Sequence, residues 1–251
     1  MLIHKQTLHI ASIIETTDKH VSDLFTRNLS NTFTYHNYEH TKRVWESTKE
    51  IIENSEIDAN ESEILLLASL LYDIVYIEIR EGHEEESVKM ATEFLKSEKV
   101  DKETINAVNG CIMATKLGVE PTNTLEEIIK EADASHFGKK YFFEVSELLR
   151  KELELQDIKV YSEKGWRKEN IKMLGKKHKF YTEYANKKWK KRKKKNLAEK
   201  LIKTTDLNIS QIVYTIGLSS RSYFSKIFKE KYKCSPREYE NNRVHMEVLA
   251  K

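Results

Sequence analysis

Three short clusters hold side chains that can do chemistry near neutral pH. In YHNYEH, Tyr35 to His40, two histidines stand four residues apart, which on a helix puts His36 and His40 on one face. In ILLLASLLYDIVY, Asp73 closes a strongly apolar run. An ionised carboxylate there is costly unless it is paired, hydrogen-bonded or bound to a cation. In EADASHFG, Asp133 follows the amphipathic pattern of Leu125, Ile128 and Ile129, with His136 three residues further on. One His and two Asp on separate elements suit a hard or borderline divalent cation such as Mn, Fe, Zn or Mg. Plainer roles stand beside this one: His40 as a hydrogen-bonded structural histidine, and Asp133 as a helix-terminal carboxylate held by the dipole or a nearby Lys. His83 opens HEEES as either a pocket or a surface residue, and Glu84, Glu85 and Glu86 read as a solvated face. Cys111 reads as a small buried hydrophobe.

A second kind of chemistry lies toward the other end. KKWKKRKKK, Lys187 to Lys195, carries eight cations around one Trp. It reads either as a solvated helix end or as a stretch that follows phosphates and gains affinity by counterion release. Beyond it, Ile209, Ile212, Val213 and Ile216 form an apolar stripe that Gly217 stops, with Asp206 and Asn208 as capping residues before it and Ser219 or Ser220 after. Tyr223, Phe224, Ile227, Phe228 and Tyr232 make the inner face of the next helix, and Arg221, Ser222, Ser225, Lys226 and Lys229 its outer side. Two short helices joined by a tight Gly turn are a DNA-reading layout. Pro236 is expected to end a helix and Tyr239 to pack.

The elements that must position these groups are helices. The chain has 251 residues with only 7 Gly and 2 Pro, too little punctuation for a turn-rich β architecture, and it is read as all-α. With 39% hydrophobic residues it buries a real core, while 33% charged residues and a mean hydropathy of −0.64 describe a polar surface. The longest apolar run, Ile64 to Leu71, is far short of the ~20 residues that span a bilayer, so no membrane partner is expected. The first twenty residues lack the pattern of a signal peptide, and Cys111 and Cys234 are far apart, which makes a reducing cytoplasm the expected location. The net charge of +3 hides a split: Lys187 to Lys251 holds 18 basic and 6 acidic residues, net +12, and the remainder is net −9. Two modules with different partners follow from that asymmetry, the basic one facing nucleic acid.

IVYTIGLSSRSYFSKIFKEKYKCSPREY resembles the second helix-turn-helix of AraC-family transcription regulators. The resemblance implies that Arg221, Ser222 and Ser225 meet base edges and that Lys226 and Lys229 meet phosphate on double-stranded DNA. Family members carry two such units and only one is found, so a homodimer presenting two recognition helices is expected. Upstream, YHNYEH, LLYDIVY, HEEES, IMATK, EADASHFG and FYTEY together resemble the HD superfamily of metal-dependent phosphohydrolases over roughly residues 10 to 200. That resemblance implies metal ligands at His40, Asp73 and Asp133. The family's His-Asp doublet is Tyr72-Asp73 here, so either His36, His83 or His136 replaces the missing imidazole, or the site has lost its metal and kept its pocket. The expected organisation is an HD-like domain over 1–198 and an AraC-type helix-turn-helix over 199–251. The expected function is a DNA-binding regulator whose HD-like part senses a nucleotide-like ligand or dimerises. The alternative is an active metal-dependent phosphohydrolase, Asp73 catalytic, with the helix-turn-helix appended.

Overall fold

The structure, a computed structural model, describes residues 2–76, 78–204, 207, 209–217, 224–226, 228–229 and 233–239. Among these there is no strand, and the α-helices up to residue 215 are α1 Leu2–Asn28, α2 Tyr38–Ile52, α3 Ala59–Leu71, α4 His83–Ser97, α5 Lys102–Thr115, α6 Thr124–Asp133, α7 Phe142–Leu155, α8 Glu163–Lys172, α9 Glu183–Thr204 and α10 Ile209–Thr215. A 3-10 turn, Ala134–Gly138, follows α6, and a π turn, Met173–Lys177, follows α8. The all-α reading stands.

Local chemistry starts most of these helices. Asn37 accepts from the His40 amide at 3.1 Å to cap α2. Asp58 and Glu61 form a reciprocal capping box on α3, while Asp101, Asn123 and Ser162 cap α5, α6 and α8. Such a cap contributes about 1 kcal/mol. Placing the cap at Asn37 corrects one expectation. His36 lies before α2, not on it, so the four-residue spacing does not set its relation to His40.

The chain divides into two compact units, Met1–Val160 with Lys179–Arg192, and Tyr161–His178 with Lys193–Lys251. In the first, α3 is the central rod. Leu65, Leu67, Leu70 and Leu71 are all fully buried, which is why its sequence is apolar on every side. Ile51 of α2, Leu95 of α4, Ile112 of α5 and Ile128 and Ile129 of α6 complete the core around it. Trp189, the one aromatic in the lysine run, is 2% exposed, and its Nε1 donates to Glu50 Oε1 at 3.1 Å. Gly138 lies flat against it: a Cβ built on Gly138 would stand 2.5 Å from Trp189 Cβ. Gly138→Ala is therefore expected to cost roughly 1–3 kcal/mol by overpacking. A thermal melt should show this as a drop of roughly 2–12 °C for a chain of this size.

In the second unit, α8 buries Trp166 and Asn170, and the π turn buries Leu174. Lys193 donates to the His178 carbonyl. Lys194 Nζ donates to the Gly217 carbonyl at 2.6 Å, just past the end of α10. A cation at a helix C-terminus is favourable. Two of the eight cations in the lysine run thus have partners within this unit.

Candidate functional site

His40 comes from the first turn of α2, Tyr72 caps the end of α3, and Asp133 is the last residue of α6. The core packing of these three helices brings their polar ends to one point. Tyr72 Oη lies 2.7 Å from His40 Nε2 and donates to Asp133 Oδ1 at 3.3 Å. His40 Nε2 and Asp133 Oδ1 are themselves 3.2 Å apart. Asp73, 4% exposed, belongs to a neighbouring pair, with Oδ1 3.3 Å from His83 Nε2. The His83 Nδ1–H donates to the Arg80 carbonyl at 2.8 Å, so Nε2 faces Asp73 as the other ring nitrogen.

His36 is drawn elsewhere. Its Nδ1 meets the carboxylate of Glu152 on α7, which also accepts the Tyr35 and His36 amides at 2.7 and 2.9 Å. Its ring stacks on Tyr76 at 3.7 Å, and Tyr76 meets His83 edge-on at 4.9 Å. The third histidine, His136, sits on the 3-10 turn with a buried Nδ1 that meets no acceptor among the described residues. Four residues that were not singled out as site residues line this cluster: Tyr35, Tyr76, Glu84 and Glu152. Tyr35 and Tyr76 stand inside the quoted motifs. Glu84 is 7% exposed, which departs at that one position from the reading of Glu84–Glu86 as mostly a solvated face; Glu85 and Glu86 pair with Lys116 and Lys89. Glu152 carries no signal in ELLRKELELQ that separates it from its solvated neighbours.

Burial sets the electrostatics. It pushes the Tyr72 phenol well above its ordinary value, and the Asp133 and Asp73 charges add to this. Asp73 is raised by burial to about 7, against the pull of His40 and His83. Burial raises Asp133 too, but its hydrogen bond to His40 and the charges of His40, His136 and His36 hold it below the usual carboxylate range. His136 is lowered by burial to about 4, against the pull of Asp133. Two carboxylates are thus driven in opposite directions.

This donor set does not fit a divalent ion as it stands. The Tyr72 hydroxyl lies within hydrogen-bond reach of both His40 Nε2 and Asp133 Oδ1, the atoms on which an ion would have to sit at about 2.0–2.2 Å. A phenol whose pKa is raised well above 10 is a poor replacement for a neutral imidazole. Asp73 is turned to His83, and among the described residues no group of three His, Cys, Asp or Glu side chains is placed to hold a metal.

A cavity of about 530 Å3 runs along α2, lined by Arg43, Glu46, Lys49 and Glu50 with Lys139 and Tyr141. Lys139 is paired with Glu50. Arg43 Nη2 is buried and meets no acceptor among the described residues, although Glu39 and Glu46 stand at helical spacing on either side. Nothing in RVWE, an ordinary amphipathic turn by its sequence, marks Arg43.

At the helix-turn-helix, Arg221 and Ser222 lie outside the described residues, as do Asp206, Asn208, Ser219, Ser220, Tyr223, Ile227 and Tyr232. Gly217 takes a left-handed φ of +61° behind α10, the conformation a helix stop requires. Phe224 and Phe228 are buried with rings 5.8 Å apart, Ser225 is half-buried, and Lys226 and Lys229 are exposed. Pro236 opens a helical stretch, residues 236–239, instead of ending one: Ser235 caps it and Glu238 returns the bond to the Ser235 amide. Tyr239 packs edge-on against Phe228 at 5.5 Å.

The comparisons with known proteins follow this division. The HD domain family matches residues 37–138, a span that includes His40, Tyr72-Asp73 and Asp133. The family of bacterial regulatory helix-turn-helix proteins, AraC family, matches residues 202–239. The chain is similar to histidine kinase P4 of Formosa agariphila, 46% identical over 44 residues, which are 18% of this chain and 3% of that protein. It is similar to the transcriptional activator PerA of Escherichia coli O127:H6, 45% identical over 42 residues, which are 17% of this chain and 15% of that protein. No solved structure matches. The chain therefore joins an HD domain, residues 37–138, to an AraC-type helix-turn-helix, residues 202–239.

Proposed function

We propose that this protein is a cytoplasmic, DNA-binding transcription regulator whose HD domain is a ligand sensor or dimerisation body with little or no hydrolytic activity. The observation that carries the reading is the arrangement over residues 224–229 inside the AraC match. Phe224 and Phe228 are turned to the core, while Lys226 and Lys229 stay in solvent where phosphates can reach them. The likeness to PerA, a transcriptional activator, supports it. Among the described residues no helix is long and apolar enough to cross a membrane. Tyr72 supports the second half of the proposal, because its phenol closes the point where His40 and Asp133 would share a metal.

The mechanism would be linkage. A homodimer presents two recognition helices, and a small molecule that prefers one arrangement of the dimer shifts the equilibrium toward it. The small molecule proposed for the HD domain is a nucleotide-like ligand. Selection from a random duplex pool tests the DNA reading. The wild type is expected to enrich one motif. Arg221→Ala should lose about 1–3 kcal/mol at one base position, a preference change of roughly 5- to 150-fold. Equal weakening on every sequence would remove Arg221 from base reading, and no enrichment by the wild type would overturn the regulator reading.

A further inference from the structure

The basic character of the second unit is not confined to the lysine run and the helix-turn-helix. The unit holds 19 Lys and Arg against 8 Asp and Glu, net +11. Its first segment, Tyr161–His178, contributes six of those cations. They are not scattered. Lys164, Lys168 and Lys172 follow one another at four-residue intervals along α8, and Lys176 continues the series in the π turn; all four are exposed. The buried residues of the same stretch, Trp166, Asn170 and Leu174, keep the same interval two residues out of step. Two residues are about 200° around a helix, so the lysines point away from the face that packs.

Among the described residues none of these four lysines has an ion-pair partner. The acidic Glu163 is engaged by Arg167 at 2.7 Å, off the stripe. Like charges at i,i+4 destabilise a helix by about 0.2–0.5 kcal/mol per pair, a cost that alternation with Glu would have avoided. A polyanion lying along the stripe offsets that cost. From Lys164 to Lys176 the stripe is about 18 Å long at 1.5 Å per residue. Duplex DNA carries one charge per about 3.4 Å of axis on each strand, so about 18 Å of axis holds about five phosphates of the strand that faces the stripe.

We infer that α8 is a second DNA-contacting element: Lys164, Lys168, Lys172 and Lys176 bind the phosphate backbone of the duplex that the helix-turn-helix reads. The inference rests on the DNA-binding reading above and adds to it a surface that carries no sequence preference. It also gives a reason why one matched helix-turn-helix is enough, because the stripe supplies affinity while residues 202–239 supply selectivity.

The test measures binding of the full chain to a mixed-sequence duplex of about 30 bp by fluorescence anisotropy between about 50 and 200 mM salt. The triple variant K164Q/K168Q/K172Q should lower the slope of log K against log salt by about 1.8–2.7, as expected for two or three lost phosphate contacts. At the upper end, the affinity lost across that salt range shrinks by about 40-fold relative to wild type. A control variant, K19Q/K96Q/K102Q, removes the same charge from exposed positions of the other unit and should leave the slope within about 0.5 of wild type. A wild-type slope retained by the α8 variant, or the same fall in both variants, would overturn the stripe while leaving the helix-turn-helix reading in place. A wild type that binds no duplex even at low salt would sink both, which separates the two failures.

Discussion

A Tyr72→His variant purified without chelator is expected to retain about one equivalent of Mn, Fe or Zn per chain, where the wild type retains far less. The substitution does two things at once. It removes the hydroxyl that lies 2.7 Å from His40 Nε2 and 3.3 Å from Asp133 Oδ1, so the phenol no longer occupies the space between these two side chains. It also introduces an imidazole, which is neutral at pH 7 and a far better ligand than a phenol pushed well above 10. With metal at about 100 times its dissociation constant, the variant should gain about 2.7 kcal/mol of stability that chelator removes. Elemental analysis and chelator-sensitive melting are the two readouts, and Asp73→Ala in the same background should abolish both. Tyr72→Phe separates loss of the plug from gain of a ligand. It leaves His40 and Asp133 without their shared hydroxyl, costs about 1–3 kcal/mol and gains no metal. A stoichiometric metal in the wild type, lost on Asp73→Ala, would overturn the proposal of a metal-free HD domain and reopen the phosphohydrolase reading.

The second large effect is electrostatic and shows only when variants are compared. Asp73 has a folded pKa of about 7 against 3.8 in the unfolded chain. The folded state therefore binds the extra proton between those values, and the contribution of Asp73 falls as pH rises through that window, by roughly 4 kcal/mol in all. His136 has a folded pKa of about 4 against 6.5 unfolded. There the unfolded state binds the extra proton, and the contribution rises with pH between about 4 and 6.5, by roughly 3 kcal/mol. The two slopes oppose each other over the shared window, so these groups give the wild type little net dependence there. Removing either one unmasks the other. Relative to wild type, Asp73→Asn should grow steadily more stable from about pH 4 to 7, its amide still able to donate to His83 Nε2. His136→Asn should grow steadily less stable than wild type from about pH 4 to 6.5. Urea midpoints measured across that range give the difference curves, and flat curves would mean that neither group is titrating as its surroundings dictate.

These two experiments address one structural fact from different sides. Within the HD-matched span, the ends of α2, α3 and α6 meet in a hydrogen-bonded cluster of His40, Tyr72 and Asp133.

Much of this molecule is legible in its linear order because the deciding interactions are local. Sparse Gly and Pro and three- to four-residue apolar spacing are enough for an all-α chain. The burial of Phe224 and Phe228 beside the exposure of Lys226 and Lys229 follows from the same periodicity. Pro236 was misread because a Pro also suits the first turn of a helix, and only the capping bond between Ser235 and Glu238 decides between the two. His36 was misplaced for a similar reason: where a helix starts depends on which side chain caps it, and here Asn37 does. What tertiary structure alone decided is what each buried polar group meets. Tyr72 reaches His40, 32 positions away, and Asp133, 61 positions away; Glu152 holds the Tyr35 and His36 amides from 117 and 116 positions away. No periodicity reports these pairings, nor that Glu84 faces inward and Arg43 hides a nitrogen. The free energy of a buried polar group depends on the atom opposite it, and that atom is chosen by the packing of whole helices.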